Sequence, residues 1–379
     1  MIYLDHNATT PLDDRVREAM LPYLGPFFGN PSSLHRLGRL SRGAVDTARE
    51  QVAALAGAQP SQVVFTSGGT EANNLALKGL AWSLPTGTIL TGPTEHPAVQ
   101  APLEFLSRQG WSVKMVKCDA LGELDLTSLS ELDLDDLRFA THMLANNETG
   151  IIHDLEPFAK WLLERGAVLH SDAVQAAGKL PLDFNIRGFR LMSLSSHKIY
   201  GPKGAGALIL DPAVQLEPLL HGGGQERELR GGTENVAAIV GFGKAAELAL
   251  AELSQRREHL FRLRLELEIG LQSLSGAIIF AEHAERLSNT VQFGLAGIDG
   301  ETLVMALDRK GFAVSSGSAC ASGAGEPSPV LLALGVAPDI AKSAIRVSLG
   351  KDNQTSDIAR FLDGLKAIIT EFALSPALH

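Results

Sequence analysis

Between about residues 45 and 250, short apolar runs alternate with helix-length stretches, and this alternation limits the fold of the 379-residue chain more than any other feature. The runs are 62–66, 88–91, 112–117, 138–144, 167–171, 191–195 and 205–210. They are rich in Val, Ile, Leu and Phe, and several are apolar on both faces. A strand of that kind needs cover on both sides. The stretches 71–82, 98–109 and 155–165 read as the covering helices. Strand and helix in alternation predict an α/β fold around a mainly parallel, seven-stranded sheet.

The pattern changes near residue 236. Two long helical patterns, 236–253 and 255–274, read as a bridge. Shorter strands at 290–293, 313–315 and 344–348 follow, with helices at 301–310 and 356–372. This predicts a large α/β domain over 14–253. A smaller α+β domain is expected from 254–379 together with 1–13.

Composition removes several function classes. Thirty-three basic against 43 acidic residues give a net charge of −10, which opposes binding to a phosphate backbone. No uncharged apolar run approaches the roughly 18–20 residues of a membrane span. The first residues lack the apolar core of a signal peptide, so a cytoplasmic protein is expected. Cys118 and Cys320 stand far apart with no C-x-x-C, so neither a disulfide framework nor a metal site is expected.

In open α/β sheets, ligands bind beyond the carboxyl ends of the strands. Thr66-Ser67-Gly68-Gly69-Thr70-Glu71 follows the first run and opens a helix. Glycines and free N–H groups there suit a phosphate, although Thr70 or Ser67 would equally serve as a helix cap. Glu95-His96-Pro97 follows the second run, and His96 could lie flat on a planar ring or be a structural residue. Asn146-Asn147-Glu148-Thr149-Gly150 suits a turn as well as a ligand contact. Asp172 ends a buried run and needs a partner or a capping role, and Gln175 follows in what reads as the first turn of a helix. Ser195-Ser196-His197-Lys198 puts an amine after an apolar strand, where it can form a Schiff base. A phosphate cup, an acid and a Schiff-base lysine are what pyridoxal phosphate needs, and Thr70, Asp172 and Lys198 supply them.

With these stretches the chain resembles the cysteine desulfurases of the NifS/IscS type, class-V aminotransferases of the pyridoxal-phosphate fold type I. Tyr3–Pro11, Gly29–Ser33, Ser195–Gly204, Arg230–Asn235, Ser315–Pro327 and Ile345–Gly350 carry the resemblance. It implies a Schiff base at Lys198 and phosphate contacts from Gly69, Thr70, Ser195 and His197. His96 would stack on the ring and serve as a candidate acid or base. Asp172 would pair with the ring nitrogen. Asn147 and Gln175 would lie near the ring oxygen, with Asn147 also near substrate. Thr233 would reach the phosphate of the other subunit, implying a homodimer with shared sites. Arg346 would clamp the substrate carboxylate.

Cys320 lies in a run of Ser, Gly and Ala with no large side chain to anchor it, as suits a thiol that must travel. The resemblance makes it the persulfide carrier in conversion of L-cysteine to L-alanine. The sulfur would then pass to an acceptor protein, such as an iron–sulfur scaffold, or into thiolation. That loop argues against a plain aminotransferase. Cys118 reads as an inert, partly buried thiol. No role is assigned to His6 or Asn7.

Overall fold

Seven strands make one sheet in the order Val63–Thr66, Gly206–Leu210, Leu191–Ser195, Val168–Asp172, Leu137–Thr141, Thr88–Thr91, Ser112–Met115. All pairings are parallel except those of Gly206–Leu210, which runs against both its neighbours. The computed structural model describes residues 1–119, 121–185, 187–316 and 326–374. The expected loop around Cys320 therefore lies outside the described residues.

The period of two in the strands decides which layer each side chain joins. Val64, Ile89, Phe139, Leu191 and Leu208 face one side, against Leu75 and Leu103 of helices Gly69–Ser83 and Pro97–Arg108. Phe65, Leu90, Ala140, Met192 and Ile209 face the other, against Val52, Phe158 and Phe242. Those three belong to helices Arg36–Ala56, Glu156–Leu163 and Val236–Ala251. The edge strand Ser112–Met115 departs from the two-sided pattern, with both its end residues exposed.

A second core joins Leu263, Leu267, Phe293, Ile345 and Phe361 with Ile2 and Leu4. Here Ala344–Ser348 is flanked by Thr290–Leu295 and Ser315–Ser316, both antiparallel to it. Ile2–Tyr3 pairs in parallel with Phe312–Ala313. The single strand expected at 313–315 is thus two, broken at Val314, because its halves pair with different partners. Helix Val236–Ala251 packs into the first core and Leu253–Gln272 into the second. Among the described residues no helix is long and apolar enough to cross a membrane.

Candidate active site

Five strands deliver their following residues to one cavity of about 240 Å³. Gly69 and Thr70 come from beyond Val63–Thr66, and His96 from beyond Thr88–Thr91. Asn147 follows Leu137–Thr141, Asp172 ends its own strand with Gln175 beyond it, and Ser195, His197 and Lys198 finish the set.

One end of the cavity is built for an anion. Helix Gly69–Ser83 starts there and has no side-chain cap; Thr70 is inside its first turn and Ser67 does not cap it. Its N-terminal N–H groups and dipole favour negative charge. Glu71 does not occupy that place: it accepts from the Ser67 N–H at 2.8 Å and pairs with Arg230 at 2.9 Å. The Ser195 hydroxyl is buried with no hydrogen-bond partner among the described residues. Gly206 makes the turn possible, since a Cβ on it would stand 2.6 Å from the Gly68 backbone. His197 bonds through Nδ1 to the Thr9 hydroxyl at 3.1 Å. Burial and the charges of Lys198 and Lys203 lower its pKa to about 4, so it is neutral at pH 7.

The acid and the imidazole stand on the cavity wall. Asp172 accepts from the Val174 N–H at 3.0 Å and from Asn73 Nδ2 at 2.7 Å. His96 caps helix Pro97–Arg108 by accepting from the Ala98 N–H at 3.0 Å. Burial holds its pKa below the ordinary value, with Lys198 adding to the effect and Asp172 opposing it. Beneath it Glu95 accepts from the Met143 N–H at 2.7 Å. Burial, helped by the charge of Asp172, raises Glu95 to about 8, so it is mainly a neutral acid at pH 7.

Lys198 closes a short 3-10 turn, Ser196–Lys198, whose exit holds Tyr200 at φ 70°. That conformation costs a non-glycine residue roughly 1–3 kcal/mol. Thr10 Oγ1 accepts from the Tyr200 N–H, while the tyrosine carbonyl and hydroxyl accept from the N–H groups of Asp13 and Lys351. Lys198 Nζ donates to the carbonyls of Asn7 and Ala8. Asn7 in turn is fully engaged. Its Nδ2 donates to the Asn147 carbonyl at 3.2 Å and to Thr290 Oγ1 at 2.9 Å. Its Oδ1 accepts from Asn289 Nδ2 at 3.0 Å and from Lys179 Nζ at 3.1 Å. Arg346, on Ala344–Ser348, is buried beside this segment and donates to the Asn147 carbonyl at 3.0 Å and to Asp5 Oδ1 at 2.7 Å.

The aminotransferase class-V family model matches residues 2–361. The chain belongs to the class-V aminotransferase family. Within it the chain is of the NifS/IscS, cysteine desulfurase type. Cysteine desulfurase IscS of Dictyoglomus turgidum is 41% identical over 382 residues, covering 99% of this chain and 96% of its own. Cysteine desulfurase IscS of an Anaeromyxobacter species is 45% identical over 356 residues, 92% of this chain and 88% of its own. A NifS-like protein superposes with a TM-score of 0.92 at 38% identity, covering 97% and 99% of the two chains. A structure of SspA in complex with cysteine gives 0.81 at 32% identity, over 92% and 99%.

In this class-V enzyme the expected site residues divide four ways. Gly69, Thr70, His96, Asn147, Asp172, Gln175, Ser195, His197 and Lys198 line the cavity. Arg346 stands next to it, touching Asn147. Thr233 is exposed and does not line it. Cys320 lies outside the described residues. Gln175 sits in a run of turns and not in the expected helix, which the left-handed Gly178 (φ 67°) accompanies. Of the two readings of 146–150 the turn is seen: Asn146 Oδ1 accepts from the N–H groups of Glu148 and Thr149, while Asn147 lines the cavity. Cys118 is half-buried, and burial with the charge of Asp119 pushes its thiol pKa up, which keeps it protonated.

Sequence reasoning missed Asn7, Asn73 and Lys179. Asn73 stood inside a recognised stretch and lies one helical turn after Gly69, which was a usable signal. Asn7 lay in Tyr3–Pro11, which carries the resemblance, but its partners are far away in the chain, and Lys179 offered no signal because a lone lysine reads as surface.

Proposed function

We propose that this class-V enzyme binds pyridoxal phosphate in the cavity and uses it to convert L-cysteine to L-alanine, leaving the sulfur as a persulfide on Cys320. The observation that carries the reading is the convergence of Lys198, Asp172 and the uncapped start of helix Gly69–Ser83 on one cavity. The fit to the cofactor is supported by the orphaned Ser195 hydroxyl and by Gly69, where a Cβ would stand 2.8 Å from Val174 and 3.5 Å from Ser195.

Gly69, Thr70, Ser195 and His197 would hold the phosphate, with Thr233 reaching the site of a second copy. Lys198 would hold the aldehyde carbon, Asp172 the ring nitrogen, and Asn147 and Gln175 the ring oxygen. The neutral His96 suits stacking on the ring. Bound there, pyridoxal phosphate supplies an electron-withdrawing ring that stabilises negative charge at the substrate α-carbon.

Arg346 would orient the substrate by its carboxylate. Lys198, once released as an amine, is placed to move the α-proton. The Cys320 thiolate attacks the substrate sulfur. The new S–S bond forms as the C–S bond breaks, the C–S electron pair stays with the β-carbon, and that carbon takes a proton to give alanine. The persulfide then passes to an acceptor, for iron–sulfur cluster assembly or a thiolation pathway. A reducing cytoplasm suits such a carrier.

This reading divides the chain into a large domain, 14–253, and a small one, 254–379 with 1–13. It also favours a homodimer. The exposed Leu21, Leu24, Phe28 (76%) and Leu34 (90%) give an apolar surface for a second copy.

The test is direct. Purified protein given pyridoxal phosphate should turn yellow, and Lys198→Ala should lose that band. With L-cysteine and a reductant it should release sulfide and alanine in equal amounts, and Cys320→Ala should release neither. A keto acid product, or full turnover in Cys320→Ala, would overturn the sulfur route.

A further inference from the structure

Lys179 is a second amine beside the cavity, and the mechanism above does not use it. It is buried, with 8% exposure, and its Nζ lies 2.6 Å from Gln175 Oε1 and 3.1 Å from Asn7 Oδ1. Both partners are acceptors, so Lys179 acts only as a donor here. Burial, with the charges of Lys198 and Arg346, pushes its pKa well below the ordinary value. The neutral amine still has two N–H groups, enough for both bonds, so the arrangement holds in either protonation state.

The consequence falls on Gln175, which lines the cavity. Its amide could present either a carbonyl or an amino group to a ligand. Lys179 takes the carbonyl. Nε2 gives one N–H to the Asn7 carbonyl at 2.9 Å, and its second remains to be placed. Asn7 cannot rotate to release this arrangement, because Asn289, Thr290 and Asn147 fix its own amide.

We propose that Lys179 is a positioning residue that locks the Gln175 amide with its N–H toward the cavity, so that Gln175 donates to the oxygen substituent of the bound pyridine ring. The inference rests on the pyridoxal phosphate reading above. It gives a role to a buried lysine that pairs with no carboxylate among the described residues. A ring oxygen that carries negative charge needs a donor, and an amide turned the other way would repel it.

The experiment uses the full chain with Lys179→Met, Gln175→Leu, Gln175→Glu and the Lys179→Met/Gln175→Leu double variant. Three quantities are read: the Kd for pyridoxal phosphate by equilibrium dialysis, the position of the visible band, and the urea midpoint without cofactor. Lys179→Met should raise the Kd about 10-fold and move the band as Gln175→Leu does. The double variant should be no worse than Gln175→Leu alone, since the two residues act as one unit. Gln175→Glu still accepts from Lys179 but has no N–H for the ring oxygen, so it should raise the Kd at least as much as Gln175→Leu whatever the change in its urea midpoint, which keeps the test informative if Lys179→Met does not fold. A lower urea midpoint with Kd and band unchanged, or fully additive effects, overturns the proposal. A wild type that takes up no pyridoxal phosphate overturns the cofactor reading itself, whereas a yellow wild type with unshifted variants overturns only the role of Lys179.

Discussion

Arg346 and Asp5, 341 positions apart in sequence, form a 2.7 Å ion pair at the edge of the site. The guanidinium is 4% exposed at its side chain and also holds the Asn147 carbonyl. Two acceptors therefore fix its plane before any substrate arrives, and a planar fork held in place is what a carboxylate needs for bidentate recognition.

Arg346→Lys keeps the charge and loses the fork. We expect kcat/KM for L-cysteine to fall about 100-fold, mostly through KM, with the Kd for pyridoxal phosphate little changed. Steady-state kinetics over a range of L-cysteine decides it. A KM within about twofold of wild type removes Arg346 from substrate binding.

Gly206→Ala tests the anion end without touching a polar group. The new Cβ would meet the Gly68 backbone at 2.6 Å, and backbone cannot swing aside as a side chain can. Overpacking of this kind costs about 1–3 kcal/mol. The urea midpoint should drop accordingly, and the start of helix Gly69–Ser83 should be displaced, weakening phosphate affinity. An unchanged Kd for pyridoxal phosphate would detach that helix start from the phosphate.

Acid should unfold the protein earlier than its carboxylates alone require. Burial lowers His6 and His197 to about 4 and His142 and His170 to about 3. His170 shows the cause: it is fully buried inside the sheet, where its ring nitrogens bond to Thr141 at 2.8 Å and Ser193 at 2.9 Å. A depressed folded-state pKa gives stability that is full above the unfolded value of about 6.5 and is lost as pH falls toward 4 and 3. Urea unfolding at several pH values should show a steep loss across that window. A flat profile down to about pH 4.5 would contradict it.

Glu148 carries the opposite slope. Burial raises it to about 7, and the Ser328 hydroxyl donates to it at 2.6 Å. A folded-state pKa above the unfolded one means full stability below about 4.5, lost as pH rises through 7. Glu148→Gln keeps the size and removes the ionisation. It should be more stable than wild type by about 2–3 kcal/mol near pH 8 and equal to it near pH 4.5. An equal gain at both pH values would rule out titration as the cause.

The sheet was legible because its strands obey simple periodicity. Even and odd positions of Val63–Thr66 go to different cores, and an apolar run marks every strand. The site was legible because five of the seven strands end on or lead into polar residues that the sheet aligns with one another, as with His96, Asp172 and Lys198. Helix Arg36–Ala56 went unpredicted even though Val45, Ala48, Val52 and Leu55 have helical spacing, since its charged first half hides the pattern. Asn7 lies in Tyr3–Pro11, which carries the resemblance, but its contacts could not be read. Its segment has no period, and its partners at 147, 179, 290 and 348 become neighbours only through the tertiary fold. Local pattern cannot report a contact made across such distances.

The position of Asn7 also sets a schedule for synthesis. Asn7 precedes by 341 positions the Ser348 hydroxyl that receives its N–H. At about 5–20 residues per second, that interval is roughly 20–70 s. Within it the Asn7 and Ala8 carbonyls and every residue that lines the cavity are made, but Thr290, Arg346 and Ser348 come later. The nascent chain can thus form the cavity before the Asn7 segment has all its partners. That segment is fixed on every side only when Thr290 and Ser348, 283 and 341 positions after Asn7, close on it.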